Sequence, residues 1–321
     1  MQPQEVGEFF AEARKSLDNN WSDEALKSLA NHTIPEVVSG SLGWLLRGDL
    51  AVVWGRWFIE GLVDLAPYET NTELNIGHLH LSVLEYLNYS SPQAPLDERQ
   101  AHARVLTKFA WQLVSARRAR KRSPINLAQR TEIWALGQPE GRCYLCGYKF
   151  GKEARDRFLG VNKGDPQLPR LVDFTRPRGM RAAELRIEVD HMVPVVEGGE
   201  TTSANLRLAC GWCNSVKNRY TNIYDTLPWS AGTFQHPSLG PVTKPQSLWV
   251  LRTVATRRRC EAADSCTARI ETAELFAAPR HISGALTPAN VAVYCEQHDP
   301  WRLSRWVGPK RLASNLESQL P

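Results

Sequence analysis

Cysteine spacing constrains this chain more than any other feature. Two Cys-x-x-Cys pairs, Cys143-Tyr144-Leu145-Cys146 and Cys210-Gly211-Trp212-Cys213, are separated by 63 residues. Each pair forms a knuckle whose thiolates converge on one point, and two knuckles complete a tetrahedral four-cysteine site for Zn²⁺. Four thiolates leave no open position for water, so such a zinc is structural. A pair of disulfides is the weaker alternative. A Cys-x-x-Cys bridge closes only a tight loop, and the start at Met1-Gln2-Pro3-Gln4-Glu5 lacks the basic and apolar runs of a secretory leader. The remaining cysteines, Cys260, Cys266 and Cys295, join His298 as a set of three thiols and one imidazole for a second structural Zn²⁺. The five-residue gap after Cys260 is looser than a standard knuckle, which leaves buried reduced thiols as the alternative there.

Between the two knuckles runs Glu188-Val189-Asp190-His191-Met192-Val193-Pro194, followed by Asn205-Leu206, and the second knuckle continues into Asn214-Ser215-Val216-Lys217. These residue types suit phosphodiester hydrolysis. A base must take a proton from water beside a phosphate that repels anions, and a cation must offset the charge that builds there. An imidazole such as His191 accepts that proton without adding negative charge. Asp190 and Asn214 supply hard oxygen ligands, suited to Mg²⁺ or Mn²⁺. A strand ending in Ile187-Glu188-Val189 delivers Asp190 and His191 to opposite sides of the chain, one towards metal and one towards water. The segment Trp212 to Tyr220 is expected to form a helix that presents Asn214 and, one turn on, Lys217 as a phosphate contact.

The pattern resembles the HNH (ββα-metal) endonuclease family, and the resemblance covers roughly residues 140–222. The family order of His, Asn, then His or Asn falls here on His191, Asn205 and Asn214. The separations of 14 and 23 residues are similar to those in the HNH domain of RNA-guided CRISPR nucleases. The resemblance implies His191 as general base, Asp190 and Asn214 as ligands of one Mg²⁺ or Mn²⁺, and Asn205 as a brace for the loop that carries the base. The third family position is Asn here, where the family name has His.

The expected fold class is α+β: a mainly helical N-terminal domain (1–122), a zinc-stapled ββα-metal nuclease module (123–227) and a small C-terminal zinc-binding region (228–321). Residues 5–17 and 22–31 have helical spacing, with Ser22 as N-cap. Asp97 to Lys121 reads as a longer helix with Val105, Phe109 and Leu113 on one face and Leu106, Ala110 and Val114 beside it. Leu42 to Leu65, with Trp44, Trp54 and Trp57, completes a bundle with its own core. His78 and His80 read as packing or surface residues. Pro228 to Pro245 reads as a linker, and Pro279 to Pro288 as a loop.

Net charge is only +5, so any nucleic-acid contact has to come from clustering. Candidate clusters are Arg117 to Arg122, Arg257 to Arg259, Arg302 to Arg305 with Trp301 and Trp306, and Lys310-Arg311. An insertion from Gly151 to Arg181 adds Arg155, Arg157, Lys163, Arg170, Arg176, Arg178 and Arg181; backbone contact and a solvated loop are both open for it. No apolar run approaches the roughly 20 residues that span a bilayer. The sequence therefore predicts a cytoplasmic DNA endonuclease with no membrane partner, fitting restriction or antiviral defence, its helical domain available to a protein partner. RNA as substrate and a non-cleaving, zinc-stapled binding module remain the alternatives.

Overall fold

A computed structural model describes residues 3–18, 23–118, 124–137, 140–195, 198–218, 220–225, 233–236, 240–243, 246–262, 265–280 and 291–317. Seven helices come first: α1 (Pro3–Asp18), α2 (Asp23–Asn31), α3 (Glu36–Ser39), α4 (Gly43–Leu62), α5 (Ala66–Thr70), α6 (Ile76–Ser90) and α7 (Leu96–Arg118). Ser22, the expected cap of α2, lies outside the described residues, as do Arg120, Lys121 and Arg122. Helix α6 starts at Asn75, whose Oδ1 accepts from the backbone N–H groups of Gly77 and His78, while Nδ1 of His78 accepts from Asn75 N–H. His78 thus closes a cap, and His80 pairs with Thr107.

Helices α6 and α7 meet through Leu79, Val83 and Leu87 against Ala103, Ala110 and Val114, with Ile59, Leu62 and Leu65 from the α4 end. The inward stripe of α7 is 103, 107, 110 and 114, spaced four, three and four residues apart, which keeps it on one helical face. Val105 and Phe109, expected on the packing face, lie off that stripe and are 55% and 56% exposed. The small Ala103 and Ala110 let the two helices close, and larger neighbours are turned out. Leu42 to Leu65 also differs from expectation. Leu42 and Leu45 enter a core shared with the C-terminal region, whereas Ile59, Leu62 and Leu65 serve the helical one.

Helix α8 (Leu127–Leu136) leads to the first cysteine pair, followed by α9 (Lys152–Phe158), the two-residue strand β1 (Val172–Asp173) and α10 (Ala182–Leu185). The central unit is then β2 (Ile187–His191), β3 (Leu206–Cys210) and α11 (Gly211–Lys217). The strands pair antiparallel, with Ile187 opposite Cys210 and His191 opposite Leu206. Helix α11 is shorter than the expected Trp212 to Tyr220. Asn218 takes a positive φ of 45°, and the helix ends there.

After a 3-10 turn (Ile223–Asp225) come the hairpin β4 (Thr233–His236) and β5 (Gly240–Thr243), α12 (Ser247–Arg257), the pair β6 (Leu275–Pro279) and β7 (Val291–Cys295), β8 (Trp306–Val307) and α13 (Pro309–Glu317). Of the expected proline linker, Pro228, Pro237 and Pro245 lie outside the described residues and Pro241 sits in β5; Pro288 also lies outside. Among the described residues no helix is long and apolar enough to cross a membrane.

Contacts cross both expected domain boundaries. Strand β1 pairs with β8, Val172 opposite Val307. Asp49 of α4 accepts from Arg252 of α12 and from the Ile223 N–H. The guanidinium of Arg305 is fully buried, donating to both oxygens of Asp299, to Asp173 and Thr175, and to the Ala277 carbonyl. Every N–H it has is used internally, so Arg305 does not contact phosphate, and neither does the neighbouring Trp301, 1% exposed. Arg176 and Arg178 of the insertion are likewise turned inward, both on Glu274, with Arg176 also on the Leu275 carbonyl. Buried cations need paired anions and carbonyls, and these three have them.

Candidate active site and metal centres

Period-two alternation along β2 puts Glu188 and Asp190 on one face and His191 on the other. Asp190 is 5% exposed. Its Oδ2 accepts from the Tyr144 hydroxyl at 2.5 Å, and the Lys217 ammonium lies 2.9 Å from the same oxygen. Burial and the charge of Asp190 push the Tyr144 phenol well above its usual range, so it stays protonated and donating. Lys217 also donates to the His191 carbonyl at 2.7 Å. Its side chain is 12% exposed and committed to β2, so it tethers the strand where a phosphate contact was expected. Asn214, one turn earlier on α11, donates from Nδ2 to Glu188 Oε2 at 2.5 Å, and its Oδ1 accepts no hydrogen bond among the described residues.

The half-buried ring of His191 pairs through Nε2 with the Thr201 hydroxyl at 3.0 Å. Asn205 closes the intervening loop with three side-chain bonds. Oδ1 accepts from Val193 N–H at 2.9 Å, and Nδ2 donates to the carbonyls of Val193 at 3.1 Å and Glu200 at 2.9 Å. Gly199 permits this closure, since a Cβ there would lie 1.7 Å from the Val193 carbonyl oxygen. The carboxamide thus holds the chain segment that follows His191 on both of its hydrogen-bonding sides.

A cleft of about 1090 Å³ opens over these residues, with Glu188, Asp190, His191 and Asn214 in its lining and Arg130, Arg157 and Arg186 among its other walls. Carboxylates and a carboxamide converging in one opening form a hard oxygen set, of the kind Mg²⁺ and Mn²⁺ take. Asp190 already meets Tyr144 and Lys217, yet a carboxylate has about four lone-pair sites, so it retains capacity for a cation.

Sγ atoms of Cys143, Cys146, Cys210 and Cys213 all lie within 4.8 Å of one another and are buried. A tetrahedral Zn²⁺ with thiolates at ~2.3 Å sets sulfurs about 3.8 Å apart, so the cluster has the compactness of such a site. Burial pushes the Cys143 and Cys213 thiols up, towards the neutral form. Cys146 is also buried, but bonds from Cys143 and its other neighbours bring it down. Four thiolates in this space need a buried dication. Arg178 adds a donor to Cys146 Sγ at 3.3 Å while stacking 3.9 Å above the Tyr148 ring. The first knuckle rests on β3 through Tyr144 N–H to the Leu208 carbonyl, and on β6 through Leu275 N–H to the Cys146 carbonyl. Gly147, at φ 77°, turns the knuckle where a Cβ would lie 2.3 Å from the Ala273 carbonyl oxygen.

Cys260, Cys266, Cys295 and His298 form a second compact group. Here Cys260 Sγ lies 3.7 Å and Cys295 Sγ 3.2 Å from His298 Nδ1, with Cys266 and Cys295 sulfurs 3.9 Å apart. Among the described residues these two groups are the sets of three or more His, Cys, Asp or Glu that converge closely enough for a metal ion.

Four residues took roles at the site that the sequence did not assign them: Glu188, Tyr144, Thr201 and Arg178. Glu188 had a signal, since it stands two residues before Asp190 and must share its face. Tyr144 and Arg178 meet their partners only through long-range folding, and Thr201 meets His191 across the loop between β2 and β3. In comparisons with known proteins, residues 180–219 match the family model described as HNH endonuclease. No curated protein and no solved structure matches the chain.

Proposed function

From an HNH endonuclease domain at residues 180–219, we propose that this chain is a metal-dependent endonuclease that hydrolyses phosphodiester bonds in DNA. The observation that carries this reading is the convergence of Glu188, Asp190, His191 and Asn214 on one open cleft.

His191 acts as general base, taking a proton from water on its ring. The Thr201 hydroxyl fixes that ring, and Asn205 holds the loop that follows it. Asp190 and the Oδ1 of Asn214 would hold one Mg²⁺ or Mn²⁺. When bound, that cation offsets the charge developing on the phosphorane and the leaving oxygen. Tyr144 and Lys217 orient Asp190. Glu188 orients Asn214. Cleavage leaves a 5′-phosphate and a 3′-hydroxyl, and one site cuts one strand at a time, so nicks precede double-strand breaks. Cys143, Cys146, Cys210 and Cys213 would hold one structural Zn²⁺ that ties the first knuckle to β3 and α11, and Cys260, Cys266, Cys295 and His298 would hold a second that ties β7 to Cys260 and Cys266.

Purified protein incubated with supercoiled plasmid and Mg²⁺, Mn²⁺ or EDTA tests the assignment, beside His191→Ala with its zinc content verified. Metal-dependent nicking that disappears in the variant is the expected result. Cutting by neither protein in any metal would leave a nucleic-acid-binding module without hydrolase activity.

A further inference from the structure

Several arginines that the sequence offered for nucleic-acid contact are spent inside the fold: Arg176, Arg178 and Arg305 are buried and paired. Three others line the cleft. Arg130 stands on α8, Arg157 on α9 and Arg186 immediately before β2. Arg130 is exposed, and its side chain has no hydrogen bond or ion pair among the described residues. Arg186 donates from Nε and Nη2 to the two oxygens of Asp165 at 2.7 and 2.8 Å, and Arg157 lies 3.3 Å from the same carboxylate. A guanidinium fork meets a carboxylate and a phosphate in the same two-pronged way. Asp165, Arg157 and Arg186 are each about a third exposed or more, and exposed pairs add little net stability. Exchange of Asp165 for another anion is therefore cheap.

We infer that Arg130, Arg157 and Arg186 form a phosphate-binding rim that seats the DNA backbone over the cleft, and that Asp165 holds two of these arginines in place of a phosphate until DNA arrives. The inference rests on the nuclease assignment for its substrate. It places the grip on DNA mostly outside the matched motif, since α8 and α9 both precede residue 180. Backbone phosphates carry no base identity, so this rim contributes affinity and registration without sequence preference.

The test uses the full chain carrying His191→Ala, zinc content verified, and a fluorescein-labelled DNA duplex followed by anisotropy across a salt series. Arg130→Gln and Arg186→Gln should each weaken binding about fivefold and lower the slope of log affinity against log salt by about one. Arg186→Lys should recover part of the loss. Asp165→Asn should tighten binding severalfold, a gain that damage to the fold does not produce. Arg104→Gln, exposed on α7 outside the cleft, should bind as the parent does. Arginine variants that bind with unchanged affinity and slope, weaker binding by Asp165→Asn, or no binding of duplex by the parent would each overturn the rim. Preference for RNA with the same arginine dependence would overturn DNA as its ligand. The two assignments separate cleanly. Plasmid nicking indifferent to Arg130, Arg186 and Asp165 sinks the rim alone, and arginine-dependent binding without nicking by the unmodified chain sinks the nuclease.

Discussion

Glu188 accepts a hydrogen bond from Nδ2 of Asn214 at 2.5 Å, across the junction of β2 and α11. With its nitrogen on Glu188, the carboxamide has its oxygen as the end left to meet a cation. Glu188→Ala should therefore raise the Mn²⁺ concentration needed for half-maximal nicking roughly tenfold or more, the usual cost of losing a residue that orients a metal ligand. Glu188→Gln can still accept from Nδ2 and should fall between. Mn²⁺ titration followed by electron paramagnetic resonance gives the affinity directly; an unchanged midpoint in Glu188→Ala would remove the orienting role.

Asn205 offers a separate handle on His191, the proposed base. Replacing it with Ala deletes three bonds to the 193–200 loop, each worth about 1 kcal/mol net. The expected result is a fall in kcat of roughly 10- to 100-fold with little change in DNA affinity or zinc content. Asn205→Asp keeps the acceptor for Val193 N–H but turns a carboxylate oxygen onto the Val193 and Glu200 carbonyls, and should be no milder than Ala. A change confined to KM would point to substrate contact instead of loop bracing.

The four-cysteine group supports the same residues from below. Cys210→Ser should lose one equivalent of zinc by elemental analysis, lower the melting temperature and abolish nicking, although no cleft residue has changed. A zinc content and activity unchanged from the parent would show that Cys210 is not a zinc ligand.

Arg305 and Asp173 join β1 to the C-terminal region as a buried ion pair at 3.0 Å. Arg305→Met should cost about 3–5 kcal/mol by leaving Asp173 and Asp299 buried without their cation, read as a lower midpoint in urea. Acid should act through the same contact. Burial alone raises a carboxyl, but Arg305 and Arg176 outweigh it and hold Asp173 below its usual range. The folded state thus binds its proton less readily than the unfolded chain. The stabilisation is present in full above the unfolded value of about 3.9 and is lost as pH falls further through the folded value. Asp173→Asn should flatten the acid limb of a stability–pH curve.

What could be read in the chain beforehand was local. Cys143 with Cys146, and Cys210 with Cys213, announce themselves because ligand spacing is a property of a few adjacent residues. Asp190, His191 and Asn214 do so because one strand and one helix place them. Arg176, Arg178 and Arg305 were misjudged for the complementary reason. Their partners stand far away in sequence, Arg176 bonding Leu275 and Arg305 bonding Asp173, and a basic residue bound for the interior looks like one bound for solvent. On α7, the periodicity was visible but not which stripe faces inward, because Ala103 and Ala110 are small enough that close approach outranks hydrophobic bulk.

Gly147 presses the first cysteine knuckle against the Ala273 carbonyl, and Leu275 N–H bonds the Cys146 carbonyl. Both partners belong to the stretch of chain that runs between Cys266 and Cys295 of the second cysteine group. A protein engineer who cut this chain after residue 222 to obtain a minimal cutting cassette would strip away the surface on which that knuckle is moulded. Transplanting the proposed activity into another host would require carrying both cysteine groups together, as one heritable part.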